Sequence, residues 1–147
     1  MDRRITKELD FWLDKRDPDT LFYNYENQVF NYLLCVNQKI YQVEIHIGKH
    51  YPFFPPVIVY ISDTNCLQKC DYRSKLKLPV IWRQHFNIQC PCCSTILTKW
   101  SPMYRLIIVL NEVRENITYT QRIREILMAR QLTRQIFGFY IPIEEFL

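Results

Sequence analysis

No run of apolar residues in this chain reaches the eighteen or so uncharged positions that a helix needs to cross a bilayer, which argues against a membrane-spanning protein. Glycine is scarce, with two in 147 residues, and there is no internal repeat, low-complexity stretch or Gly/Ser tract that would read as a flexible linker. Neither sign of charge dominates. The formal net charge is +4, and the bases are scattered through Arg3, Arg4, Lys7, Lys15, Arg73, Lys75, Lys77 and the C-terminal third, with acids interspersed along the chain. Such a pattern does not read as a nucleic-acid surface, and no nucleic-acid partner is expected. Residues 1–15 are too charged for a secretory leader, so the expected setting is the cytoplasm or nucleus, with thiols kept reduced.

What the chain does have is bulk. Hydrophobic residues make up 48% and aromatics 15%, including ten Tyr and nine Phe. Large side chains offset the entropy of ordering, and a chain of this length can bury one core without disulfides. A single domain over 1–147, acting as a monomer, is therefore the expectation. Three of the six cysteines crowd into four positions, at Cys90, Cys92 and Cys93. Reduced thiols so placed read as metal ligands or as chemistry.

Ile5, Leu9, Trp12 and Leu13 fall at i, i+4, i+7 and i+8, predicting an N-terminal helix that Asp2 caps and that exposes Arg3, Arg4, Lys7 and Glu8. Pro18 should end it by driving Asp17 out of the helical region. Strand-like runs follow at 21–25, 29–36 and 40–47; in the last, Tyr41, Val43, Ile45 and Ile47 alternate with Gln42, Glu44 and His46. Asn37-Gln38 reads as a hairpin turn, and Cys35 as a core residue. The three prolines of Tyr51-Pro52-Phe53-Phe54-Pro55-Pro56 predict a stiff, extended loop, after which residues 57–61 read as a fourth strand. Residues 62–89 lack a clear period and read as an enlarged, irregular excursion carrying Cys66 and Cys70. Trp100-Ser101-Pro102 should open a helix, with Pro102 in its first turn and Leu106, Val109, Leu110, Val113 and Ile117 as its apolar stripe. A separate last helix is expected over 121–137, with Gly138 just past its end. The order defines an α+β class: an N-terminal helix, an antiparallel meander of about four strands, and C-terminal helices.

In sequence order these landmarks resemble the ubiquitin-conjugating enzyme family. Arg3-Arg4-Ile5-x-Lys7-Glu8-Leu9 resembles its first helix, and Val43 to Ile47 followed by Tyr51-Pro52-Phe53-x-Pro55-Pro56 resembles its third strand and proline loop. His85-Phe86-Asn87-Ile88 resembles the His-Pro-Asn signature, Cys93-Ser94-Thr95-Ile96-Leu97 the active-site run, and Trp100-Ser101-Pro102 the start of the second helix. The likeness spans roughly residues 1–117 and implies a ubiquitin-conjugating-enzyme-like fold. The departures are equally specific: Phe86 stands at the signature proline, Thr95 where an acid often follows the cysteine, and the segment after Ile61 is enlarged.

The resemblance implies a transferase in an ATP-dependent conjugation pathway. It would accept ubiquitin or a ubiquitin-like protein from an activating enzyme as a cysteine thioester and pass it to a lysine amine with a RING-type ligase. A thiol suits this, because near its pKa of about 8.5 it both attacks and leaves well, and no cofactor is required. Cys93 keeps Ile96 and Leu97 in register, whereas Cys92 keeps the distance to Trp100. Asn87 either donates to the tetrahedral oxyanion or braces the loop, and His85 reads as a bracing partner. Arg3, Arg4 and Lys7 resemble the face that meets the activating enzyme; Phe53, Ser101, Pro102 and Met103 resemble the two loops gripped by ligases. With Cys93 given to chemistry, Cys66, Cys70, Cys90 and Cys92 are left as a candidate structural zinc site. Two other classes fit the same residues: an inactive variant of this fold that binds ubiquitin or a ligase, and a small zinc-organised interaction protein in which all the clustered thiols are ligands.

Overall fold

The computed structural model describes residues 3–15, 20–63, 66–72, 80–85, 87, 95–138 and 142. The predicted N-terminal helix is present as α1 (Arg3–Lys15), with Ile5 and Trp12 buried on its inner stripe. Asp2 and the Arg16–Asp19 stop lie outside the described residues. Glu8 departs from its expected outward position and is 1% exposed. At 100° per residue it lies within about 60° of both Ile5 and Trp12, so it belongs to the inward stripe.

Five strands follow, β1 (Thr20–Asn24), β2 (Val29–Val36), β3 (Lys39–His46), β4 (Ile58–Asp63) and β5 (Cys66–Asp71), paired antiparallel in chain order. The first turn is closed by Asn24, whose side-chain oxygen accepts from the N–H groups of Glu26 and Asn27 at 3.0 and 3.3 Å. Asn37 and Gln38 both take positive φ, 49° and 65°, between the paired residues Val36 and Lys39. Two such residues make the type I′ turn whose twist suits a two-residue hairpin.

The pleat sends Phe30, Tyr32, Leu34 and Val36 of β2, Tyr41, Val43 and Ile45 of β3, and Val59 and Ile61 of β4 into the core. Cys35 sits between two of these inward residues and so points out; it is exposed, contrary to the core position expected of it. Phe22, Leu33 and Ile40 are exposed as well.

The stretch expected to be irregular contains two regular pieces. β5 adds a fifth strand, meeting β4 with a register shift between Ile61 and Asp63. A short helix, α2 (Val80–His85), buries Trp82. Downstream, the two expected helices are one, α3 (Leu106–Phe137), 32 residues long. Pro102 precedes it, in a turn closed by the Tyr104 N–H on the Ser101 carbonyl at 2.9 Å. Gly138 ends α3 in the left-handed region at φ 72°, its N–H bonded to the Arg134 carbonyl at 2.9 Å. The first half of α3 lays Leu106, Val109, Leu110, Val113 and Ile117 into the core shared with α1 and the sheet, while Leu127, Met128, Leu132 and Ile136 of the second half are exposed.

Candidate active site

Cys90, Cys92 and Cys93 lie outside the described residues, as do Phe86 and Ile88, so the candidate site is defined by its two flanks. Upstream, α2 ends at His85, which is exposed; Asn87 follows it, also exposed, at φ 52°. Asn tolerates this left-handed backbone better than most side chains. The Asn87 N–H returns to the Gln84 carbonyl at 3.2 Å, and buried Trp82 fixes α2 beneath it.

Downstream, residues 95–99 form a tight turn. The N–H groups of Thr98 and Lys99 donate to the Thr95 carbonyl at 3.0 and 3.3 Å, and the Thr98 hydroxyl donates to the same oxygen at 2.7 Å. Leu97 is 4% exposed and Ile96 packs against the core, so the apolar pair after the cysteines anchors the turn. One further bond reaches this turn, from a side chain that the sequence did not single out, and a second holds that side chain in turn. The Ile96 N–H donates to Glu112 Oε2 on α3 at 2.6 Å, and the buried Tyr72 hydroxyl donates to Glu112 Oε1 at 3.1 Å. In sequence, Glu112 is an acid at the border of an apolar stripe and carries no other signal.

Trp100 is half-buried. Its indole N–H donates to the Pro52 carbonyl at 2.7 Å, and its ring lies 6.0 Å from that of Tyr51. The proline loop and the segment before α3 are thereby held side by side. Each presents an apolar side chain to solvent: Phe53 is 75% exposed and Met103 87%. Pro102 is exposed and Ser101 half-buried, its hydroxyl accepting from the Met103 N–H at 3.4 Å.

Beneath these loops lies an ionic knot. Glu8 pairs with Arg4 at 3.1 Å, accepts from the Tyr51 hydroxyl at 3.2 Å, and accepts from the Leu106 N–H at 3.3 Å. Arg105, at the N-cap of α3, makes no side-chain cap bond; the carboxylate of α1 supplies the acceptor instead. Burial pushes the Glu8 carboxyl up, and the Arg4 charge and the Leu106 N–H pull it back. Burial, and then the Glu8 charge, push the Tyr51 phenol up, so it stays protonated and donates. Arg4 also donates to the Tyr104 carbonyl. Of the three cations expected to face a partner, Arg3 and Lys7 are exposed, whereas Arg4 is occupied within the knot.

Of the proposed zinc ligands, Cys66 and Cys70 stand on β5, opposite Asp63 and Ile61, and Cys70 is half-buried. Among the described residues, no group of three or more His, Cys, Asp or Glu is placed to hold a metal ion. Among the same residues, no helix is long and apolar enough to cross a membrane. No family model, curated protein or solved structure matches the chain.

Proposed function

We propose that this chain has a ubiquitin-conjugating-enzyme-like fold and carries ubiquitin or a ubiquitin-like protein as a thioester on Cys93. The supporting observation is the seating of the turn after the cysteines: Leu97 is sunk in the core and Trp100 is bonded to Pro52, beside the exposed Phe53 and Met103. This fits a thiol segment held between a firm turn and a partner-facing loop pair. It also favours Cys93 over Cys92, because the register that begins at Cys93 is the one that assigns Ile96 and Leu97 to the anchor.

In the first step the Cys93 thiolate attacks the carbonyl carbon of the activating enzyme's thioester, and that enzyme's thiolate leaves. In the second, a substrate lysine amine attacks the new thioester, the Asn87 amide donates to the oxyanion, and the Cys93 thiolate departs as the isopeptide bond forms and the amine's proton passes to solvent water. Removing such an oxyanion donor typically raises a barrier by about 3 kcal/mol. Cys93 and Asn87 are the groups that this chain supplies to the two steps.

The test is incubation with activating enzyme, ATP and ubiquitin, followed by a non-reducing gel. A band heavier by one ubiquitin, removed by thiol reductant, retained in Cys92→Ser and lost in Cys93→Ser, is the expected result. No such band with any tested ubiquitin-like protein would sink the carrier reading. That result would favour the inactive binding variant, which draws its support from Phe86 at the signature proline and Thr95 at the acid position.

A further inference from the structure

We propose that the exposed half of α3 and the β2–β3 hairpin form a docking groove for an acidic, amphipathic segment of a partner protein, a surface separate from the thiol chemistry above. Arg124, Leu127, Met128 and Gln131 repeat the i, i+3, i+4, i+7 spacing of Leu106, Val109, Leu110 and Val113. The two sets lie about five helical turns apart, so they share one face of α3. The first set is fully buried in the core, whereas the second is exposed. There the face borders a groove of about 480 Å³ that is lined on its other side by Asn37 and Lys39 of the hairpin. Gln121 accepts from the Asn37 amide at 2.7 Å and donates to the Tyr41 hydroxyl at 2.9 Å, so the two walls are already joined before anything binds.

The charge of the groove selects the occupant. Lys39 and Arg124 are exposed and make no ion pair among the described residues, and the acid on this surface, Glu125, is held by Arg122 at 3.3 Å. Arg130 and Arg134 lie further along the helix, beside Leu127 and Gln131. The complement of such a field is a carboxylate. Gln121 and Arg124 also line an adjoining recess of about 240 Å³, shared with Tyr41, Asn116 and Ile117. Asn116 is 9% exposed, and among the described residues its side-chain amide makes no hydrogen bond. A buried amide without a partner carries a cost that an incoming carboxylate removes. Leu127 and Met128, 45% and 66% exposed, meet the apolar side chains of the same segment. The distance along α3 from Asn116 to Gln131 is about 22 Å at 1.5 Å per residue, the length of a peptide rather than of a small molecule. A flat bilayer cannot enter a groove walled by a hairpin, and a second copy of the groove would set like charges against one another.

The experiment selects from a display library of random peptides of about 15 residues, long enough to lie along the groove as a helix, on the folded full chain. The expected winners carry Asp or Glu interspersed with Leu, Ile, Met or Phe. Their affinity, read by fluorescence anisotropy of the synthetic peptide, should fall about tenfold or more in Lys39→Glu with Arg124→Glu, and again in Met128→Ser. Added salt should weaken binding to the wild type and leave the residual binding of the charge-reversed protein little changed. All three positions are exposed, so the variants should keep the fold, which circular dichroism checks. Where the double reversal fails to fold, Lys39→Gln with Arg124→Gln serves in its place. The proposal is overturned if no peptide is enriched, or if the enriched peptides bind the folded variants as tightly as the wild type. Two other results, in place of peptide binding, also overturn it. One is co-sedimentation with phosphatidylcholine–phosphatidylserine vesicles that is lost in Met128→Ser, which gives the face to a membrane. The other is a dimer in light scattering that dissociates in Met128→Ser, which gives it to a second copy of the chain.

Discussion

The Glu8 carboxylate has exchanged water for Arg4, the Tyr51 hydroxyl and the Leu106 N–H. Removing one member of a buried pair leaves the other charge uncompensated, a change that typically costs 3–5 kcal/mol. The cost depends on pH in a defined direction. The Glu8 carboxyl is raised above its ordinary value of 4.5, so its contribution to stability is complete below that value and is lost as pH climbs through the raised one. Taking away the Arg4 charge raises the carboxyl further and widens this window. Arg4→Met is therefore expected to lose about 3 kcal/mol at pH 8 and distinctly less at pH 5, measured by urea unfolding at both. A loss independent of pH would mean that Arg4 contributes packing alone. The exposed cations of the same helix should behave differently. Arg3→Glu with Lys7→Glu is expected to change stability by less than about 0.5 kcal/mol. It should slow loading by the activating enzyme roughly tenfold at low salt, with the deficit shrinking as salt is added.

α3 carries buried residues as far as Ile126 and is largely exposed beyond it. Leu110 is fully buried among β-sheet and α1 side chains, and Leu132 is 55% exposed. Leu110→Ala should cost about 3 kcal/mol and Leu132→Ala less than about 0.5 kcal/mol in the same denaturant series. The buried stripe of the first half is plain in sequence, but the continuity of the helix is not. Ile117-Thr118-Tyr119-Thr120 is a run of weak helix formers and reads as a break. The structure accommodates it because the Thr118 and Thr120 hydroxyls donate to the Arg114 and Asn116 carbonyls one turn back, both at 2.9 Å. Gln121 then fastens the helix to the sheet, donating to the Tyr41 hydroxyl at 2.9 Å and accepting from Asn37 at 2.7 Å.

β3, with its alternation, and β2, an apolar run rich in aromatic and aliphatic residues, are legible from their side chains. β5 is not, since Cys66-Leu67-Gln68-Lys69-Cys70-Asp71 has neither alternation nor β-branched residues and gains its place by pairing with β4. The same divide holds at the candidate site. The Ile96–Leu97 anchor could be read from local pattern, whereas Phe53 and Met103 are picked out through the resemblance and their exposure is a finding of the structure; Glu112 and the inward Glu8 depend on partners 16 and 98 positions away.

At the scale of the molecule, both long helices contribute to one core on a single face of the sheet, and the exposed Phe53 and Met103 lie where the proline loop meets the segment before α3. Phe53→Ala and Met103→Ala should leave loading unchanged and slow ligase-stimulated discharge about tenfold or more, since exposed apolar anchors of this kind dominate small interfaces. Discharge assays with and without a RING-type ligase separate that effect from one on the thiol itself.

The ladder order β1 to β5 also bears on how the chain assembles. As residues emerge during synthesis, each new strand finds its neighbour already waiting, so the sheet grows by successive short-range closures that cost little entropy. Glu8 stands apart from this sequence, because the N–H it must satisfy belongs to Leu106 and is made almost a hundred residues later. The amino-terminal helix, which already meets β2 through Trp12 and Tyr32, therefore waits for α3 to give Glu8 its last hydrogen bond.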